Sequence, residues 1–534
     1  MFSRRVLGYG LLASAVFLLV VSWALSYPLS VESRTSYIYE SISPGFWVSL
    51  SIANIGLFLV ASDSRNRLER FVCGLAFFVF AYSIKTFFTF LEGPDSNTFR
   101  GLTENLAANG PLLPAQHGYY QWPALFVLGK MMSDVLGSTV AGASELLFFV
   151  WILVFSAGLF LHTSQGNDLR DFLSMIAYGI AVYPFVLLQF SAWAFALTLF
   201  VVCLNLMSRN EVPARIAALV VYTALVFSHA FVALFLVLAT SGMAIGKRMY
   251  APVALSFALM FFLNLVFRAQ NVVLELTALP FALFFEYSRG VEVTFAVSVS
   301  AIDALTQLIS RSVTVSMWGL LSLVTLSALF SKKLRHIDLS VGIGASAYAI
   351  AGSIFPILGW RTVGILFLPT TGALRVFNTK GRLWRIIRAY FVLALAVFPF
   401  GLVHFYYNDV NYMTLREQDG IDTIFLPAYL AGSGSDSRVL ARTIVRSYVE
   451  SRSTAESWWI DESEPSQFLE RGSWFHFVFM SPELEKNLLE KAGLSENQLS
   501  GLEASILHFS RVYSNGHVAI LQNSNVTDLP EIHQ

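Results

Sequence analysis

About thirteen apolar runs, most of them long enough to cross the ~30 Å hydrocarbon core of a bilayer, divide the chain between Val6 and Tyr406. They begin near Val6, Phe46, Phe71, Ala143, Asp171, Ser191, Ala214, Ala230, Ala251, Val313, Leu339, Thr362 and Ile386. No soluble core buries that many continuous apolar segments, and charged residues make up only 13% of the chain, about half of the usual ~25% for soluble domains. The expected fold class is an α-helical polytopic membrane protein. Arg4 and Arg5 precede the first run and no small-residue cleavage site follows it, so it reads as an uncleaved anchor. The 35 basic and 35 acidic residues balance, which removes the cationic excess that nucleic-acid binding requires. Cys73 and Cys203 both fall in apolar runs, so neither a disulfide framework nor a cysteine metal site is expected.

Lys and Arg in the connecting loops set the orientation. With a cytoplasmic N-terminus, about 18 of them lie inside and about seven outside, the bias the positive-inside rule describes. The inner set includes Arg65, Arg67, Arg70, Arg170, Arg209, Arg215, Lys247, Arg248 and the group from Arg375 to Arg388. The expected address is the plasma membrane, with three features on its outer face: a loop over 92–141, an amphipathic stretch over 268–312, and the tail over 408–534. The tail is more charged than residues 1–407, and at about 127 residues it can bury a core of its own. Its pattern is α+β, with a helix over Ser437–Ser451, alternation from Trp474 to Met480, a helix over Pro482–Ala492, and a hairpin turning on Ser514-Asn515-Gly516.

The outer loop opens EGPDSNTFRGLTENLAANGP. Pro94-Asp95-Ser96 starts a helix that runs from Thr98 to Ala108 and stops at Asn109-Gly110-Pro111. Phe99, Leu102 and Leu106 share its apolar face, turned to lipid or protein. Asp95 stands at its N-terminal end, where the helix dipole favours a carboxylate.

An acid at the start of a short surface helix, then Asn109-Gly110, Tyr119-Tyr120 and Trp122-Pro123 before the next apolar run, resembles the first outer loop of the GT-C superfamily of membrane glycosyltransferases. Ser228-His229-Ala230-Phe231 is similar to a His turn of archaeal-type members, Gly359-Trp360-Arg361 to an outer-face Arg before a late span, and the segment from Val512 to Val518 to a closing hairpin of prokaryotic ones. The resemblance implies a polyprenyl- or dolichyl-linked sugar donor, an extracytoplasmic lipid, glycan or protein acceptor, and a catalytic acid in the loop. Here the acidic loop follows the third span rather than the first, which implies two additional N-terminal spans. Asp95 is followed by Ser96, so the Asp-Glu pair of the protein mannosyltransferase branch is absent and the acceptor class stays open.

The chemistry can also be argued from the residues. Transfer from a lipid phosphate needs a carboxylate for the incoming hydroxyl and cations for the departing phosphate, all at the membrane surface. Asp95 is the first candidate for the carboxylate and Glu92 the second; a plain N-cap role for Asp95 is the bland alternative. Lys85, about two turns inside the third span, either snorkels or meets the phosphate. Arg361 and His229 are further donor-binding candidates, with an interfacial Arg and a packing His as their structural alternatives. His117, Tyr119, Tyr120 and Trp122 are sugar-contact candidates whose alternative is loop solvation or the interfacial aromatic belt. The chain has no Gly-rich phosphate loop and no Asp-x-Asp pair, so a nucleotide-sugar donor is not expected, nor is a redox cofactor. Whether a divalent cation, Mg or Mn, joins the carboxylate and the phosphate is left open. A non-catalytic membrane assembly protein or a lipid-linked-glycan transporter is the competing class; the latter would place its charges near mid-membrane on broken helices.

Overall fold

The computed structural model describes residues 4–26, 42–84, 99–104, 106, 121–163, 168–186, 191–209, 211–268, 301–330, 339–342, 374, 381–406 and five short strands between 438 and 522. Among the described residues, twelve helices of 13 residues or more follow in order: α1 Arg4–Ser26, α2 Pro44–Asp63, α3 Arg67–Tyr82, α4 Ala124–Leu136, α5 Val140–Thr163, α6 Leu169–Val186, α7 Ala192–Met207, α8 Val212–Val226, α9 Ala230–Gly246, α10 Ala251–Phe267, α11 Ala301–Phe330 and α12 Arg382–Tyr406. Among the described residues, five helices are long and apolar enough to cross a membrane, and four shorter ones are apolar over 15 to 17 residues.

Local chemistry sets the helix ends. Asn66 Oδ1 accepts the Leu68 N–H at 2.9 Å, and Ser191 Oγ accepts the Ala194 N–H at 3.2 Å, each satisfying a donor that the first turn leaves open. Pro44, Pro213 and Pro252 occupy first turns, where a missing N–H costs nothing. Gly137, at φ 59°, takes the left-handed position that ends α4.

The helix ends collect at two faces of the bundle. At one face Arg5 Nη2 bonds Glu69 Oε1 at 2.6 Å, and Tyr9 and Ser64 donate their hydroxyls to the same carboxylate. The start of α1 is thereby joined to the start of α3. The Arg67 guanidinium lies 5.7 Å from the Phe160 ring centroid and that of Arg388 5.9 Å from Phe58, adding the ends of α5 and α2 and the start of α12. Asn205 Nδ2 donates to Gly158 O at 2.8 Å, bringing in the last turns of α7. This is the arginine-rich face. The opposite face holds the junction of α1 and α2, where Ser43 N donates to Ser26 Oγ at 3.0 Å, together with the starts of α4, α7 and α9.

One apolar core runs through the bundle and includes Phe46, Phe77, Phe155, Tyr178, Phe200, Tyr222 and Phe391. Gly8 and Gly56 let α1 lie against α2: a methyl at Gly8 would come within 2.7 Å of Val60 Cγ2 and 3.0 Å of Gly56 O. Small residues at such crossings substitute close backbone contact for the hydrophobic drive that lipid removes. The other side of α1 exposes Val6, Val16, Phe17, Val20 and Leu25, suited to acyl chains. Inside α12, Pro399 has no N–H to give the carbonyl four residues back. That carbonyl, Leu395 O, accepts from Asn54 Nδ2 at 3.0 Å, and Ala396 O accepts from Ser51 Oγ at 2.7 Å. Both donors come from α2.

The strands β1 Arg438–Leu440, β2 Glu456–Trp458, β3 Phe477–Met480, β4 Ser510–Ser514 and β5 Ala519–Gln522 form one sheet in the order β2-β1-β3-β5-β4. β1 is parallel to both β2 and β3, and β5 is antiparallel to both β3 and β4, with an irregularity between Arg511 and Tyr513. Asn515-Gly516 links β4 to β5, the strand pair expected of that dipeptide.

Three sequence expectations change. The helix expected from Ser437 gives way to β1 over Arg438–Leu440, because β2 and β3 pair with it on both sides and such non-local pairing overrides local periodicity. The outer stretch over 268–312 loses its last part: residues 301–312 run without a Gly or Pro into α11. The loop over 92–141 contains α4 and its last two residues, Val140 and Ala141, belong to α5. The run expected from Leu339 is described only over 339–342, where it is helical, and the run from Thr362 lies outside the described residues, as does the helix over Pro482–Ala492.

Candidate functional site

The face opposite the arginine-rich one is assembled from five segments of the chain. The described part of the loop helix, residues 99–104 and 106, buries Phe99 and Leu102 against Leu125, Phe126, Leu147, Trp151, Ala192 and Ala194, with Leu106 partly buried beside them. The apolar face of this helix therefore meets protein rather than lipid. Phe99 and Phe126 are 5.9 Å apart, centroid to centroid, and Trp151 stacks on Phe195 at 5.4 Å. Arg100, 8% exposed, donates from Nε to Ser144 Oγ at 2.7 Å. The loop helix is thus fastened by an ionic side chain as well as by its apolar face.

The Trp122-Pro123 segment and the His turn meet directly: Ala124 N donates to Phe227 O at 3.0 Å. Three residues, Phe227 to His229, connect α8 to α9, and both Ser228 N and His229 N return to Leu225 O. This closes the tight hairpin expected around His229. His229 is half-buried and opens α9, and its ring stands edge-on to Trp193 at 5.1 Å and tilted to Phe231 at 5.8 Å. Trp122 packs on the bundle core, half-buried. Of the sequence candidates, then, the structure brings together Trp122, His229 and the loop helix. Lys85, Glu92, Asp95, His117, Tyr119, Tyr120 and Arg361 lie outside the described residues.

Two residues that the sequence reading passed over stand at this face. Gln121 is 2% exposed, and its Oε1 has no hydrogen-bond partner among the described residues. Trp193 is 8% exposed, and its Nε1 also has none. Gln121 adjoins a motif already singled out, and Trp193 follows the Ser191 cap by two positions, but neither neighbourhood signals a buried polar atom. Among the described residues no cluster of three or more metal-ligating side chains occurs.

No protein-family profile and no curated protein sequence matches the chain. Solved structures similar to it include the oligosaccharyltransferase of Archaeoglobus fulgidus, tethered to an acceptor peptide containing the NVT sequon: 13% identity, 86% of this chain, 74% of that one, TM-score 0.46. ArnT from Cupriavidus metallidurans in the apo state matches at 12% identity over 86% of this chain and 99% of its own, TM-score 0.45. The same protein bound to undecaprenyl phosphate matches at 12% over 92% and 100%, TM-score 0.42. Superpositions this distant leave the functional reading to rest on the chain's own residues.

Proposed function

We propose that the chain is a GT-C-type membrane glycosyltransferase that moves a sugar from a polyprenyl or dolichyl phosphate to an extracytoplasmic lipid, glycan or protein acceptor. In this reading the arginine-rich face is cytoplasmic, residues 1–407 form the catalytic membrane unit, and 408–534 form an outer domain. Asp95, with Glu92 next, activates the acceptor hydroxyl or stabilises charge as the sugar transfers. Arg361, with Lys85 and His229, meets the donor phosphate, and His117, Tyr119, Tyr120 and Trp122 contact the sugar or acceptor.

The observation that supports this most is the Ala124 N to Phe227 O bond. Two motifs picked out separately in the sequence, about a hundred positions apart, converge on the face that the loop helix covers, away from the arginines. A site for a lipid-borne donor needs such a place: a rigid helix end at the membrane surface.

Mass spectrometry of lipids retained by the purified full-length protein tests the reading. Polyprenyl phosphate or its glycosylated form is expected. Retention of neither, together with wild-type levels of every cellular glycan after gene deletion, would turn the assignment to the non-catalytic assembly protein.

A further inference from the structure

A buried polar atom without a partner destabilises the fold, because it gives up hydrogen bonds to water and receives none in return. Two such atoms stand on the candidate face. Gln121 Oε1 is an acceptor with no donor, and Trp193 Nε1 is a donor with no acceptor, among the described residues. Their side chains are more than nine-tenths buried, so bulk water does not serve them freely. They also stand on segments that meet. Gln121 lies three residues before Ala124, whose N–H reaches Phe227; His229, two residues after Phe227, has its ring against Trp193. Ala192 and Ala194, flanking Trp193, pack in one cluster with Leu125 and Phe126.

We infer that Gln121 and Trp193 are specificity-determining residues that grip a hydroxyl-bearing headgroup at this face, with Gln121 Oε1 accepting a hydrogen bond from a hydroxyl and Trp193 Nε1–H donating to a hydroxyl or phosphate oxygen. This rests on the glycosyltransferase reading and narrows it. An ionised phosphate can accept from Trp193 but has no proton for Gln121. A sugar carries both functions. The pair therefore selects the glycosylated donor over the bare lipid phosphate, which is the discrimination a transferase needs in order to release its spent carrier. The bare lipid leaves Gln121 Oε1 unpaired, and sites built to hydrogen-bond a hydroxyl reject ligands that lack one.

The test uses the full chain in nanodiscs, offered an equimolar mixture of undecaprenyl phosphate and its mannosyl, glucosyl and arabinosyl phosphodiesters, with bound lipids counted by native mass spectrometry. Wild type is expected to retain at least one glycosylated lipid in preference to the bare one. Gln121→Leu should reduce that preference about tenfold, and Trp193→Phe about threefold to tenfold, the ratios that single neutral hydrogen bonds supply, while retention of undecaprenyl phosphate by Gln121→Leu stays within about twofold. Without lipid, Gln121→Leu should melt at or above the wild-type temperature, since it removes an unsatisfied group. A fall in that melting temperature would overturn the proposal, because Gln121 would then be holding a structural water or a packing bond. Variants that keep the full preference, or a wild type with none, would overturn it and leave the glycosyltransferase reading intact. Failure of the wild type to bind any of the four lipids would overturn that reading and this inference with it.

Discussion

Asp95 and His229 pose the residue-scale question in its two forms: whether a polar side chain at a helix start is there for the helix or for a ligand. At His229 the backbone alone opens α9, with no side-chain cap bond, so the imidazole is not held there by helix chemistry. For Asp95 the two roles separate by substitution, because Asn caps a helix about as well as Asp but has neither charge nor basicity. Asp95→Asn is expected to fold and retain donor lipid while transfer falls roughly 10²- to 10⁴-fold, the usual range for a lost general base. Asp95→Ala adds a stability loss of about 0.5 to 2 kcal/mol. Rate assays and thermal unfolding on the same preparations decide it: a wild-type rate in the Asn variant leaves Asp95 a cap and moves attention to Glu92. Trp122 and His229 were legible in the sequence because each sits in a short motif of unusual residues. Gln121, Trp193 and Arg100 were not, since a buried polar atom is a product of which helices meet around it, and single-chain periodicity carries no record of that.

At the scale of the element, apolar runs announced most helices within a few residues, because a segment in lipid has to satisfy its backbone internally and helix is how it does so. The strand at Arg438–Leu440 was hidden for the opposite reason: its partners arrive 18 and 38 residues later (438 to 456, and 439 to 477). The α2–α12 contact is a case where element and residue meet. Asn54 and Ser51 answer two carbonyls around Pro399, in the interior of both helices. Asn54→Leu should lower stability by about 0.6 to 1.7 kcal/mol, the range found for polar contacts between membrane helices. Pro399→Ala supplies an N–H of its own to Leu395 O, so the Asn54→Leu cost should shrink in that background. Thermal unfolding of the two single variants and the double variant gives the coupling; an unchanged cost would mean that Asn54 acts through something other than that carbonyl.

For the whole molecule, the two faces of the bundle give a topology that can be read from outside the cell. Cysteines placed at Ser96 and Ser435 should both react with an impermeant maleimide in intact cells, and one at Ser208, beside Arg209, should react only after permeabilisation. Labelling of Ser96 without Ser435 would break the proposed placement of the tail. The proline in α12 also ties this architecture to the order in which the chain is made. Synthesis runs from the N-terminus, so α2 is delivered to the membrane well before α12 leaves the ribosome. When α12 arrives, Leu395 O has no N–H from its own helix, and an unanswered carbonyl in hydrocarbon is costly. Its relief comes from a helix lodged there some 340 positions earlier (54 to 395). The last described helix thus works as a latch: it becomes comfortable in lipid only by docking on the second, so a chain in which α12 is misthreaded is left with an open carbonyl in the bilayer, a flaw of the kind that membrane quality control could detect.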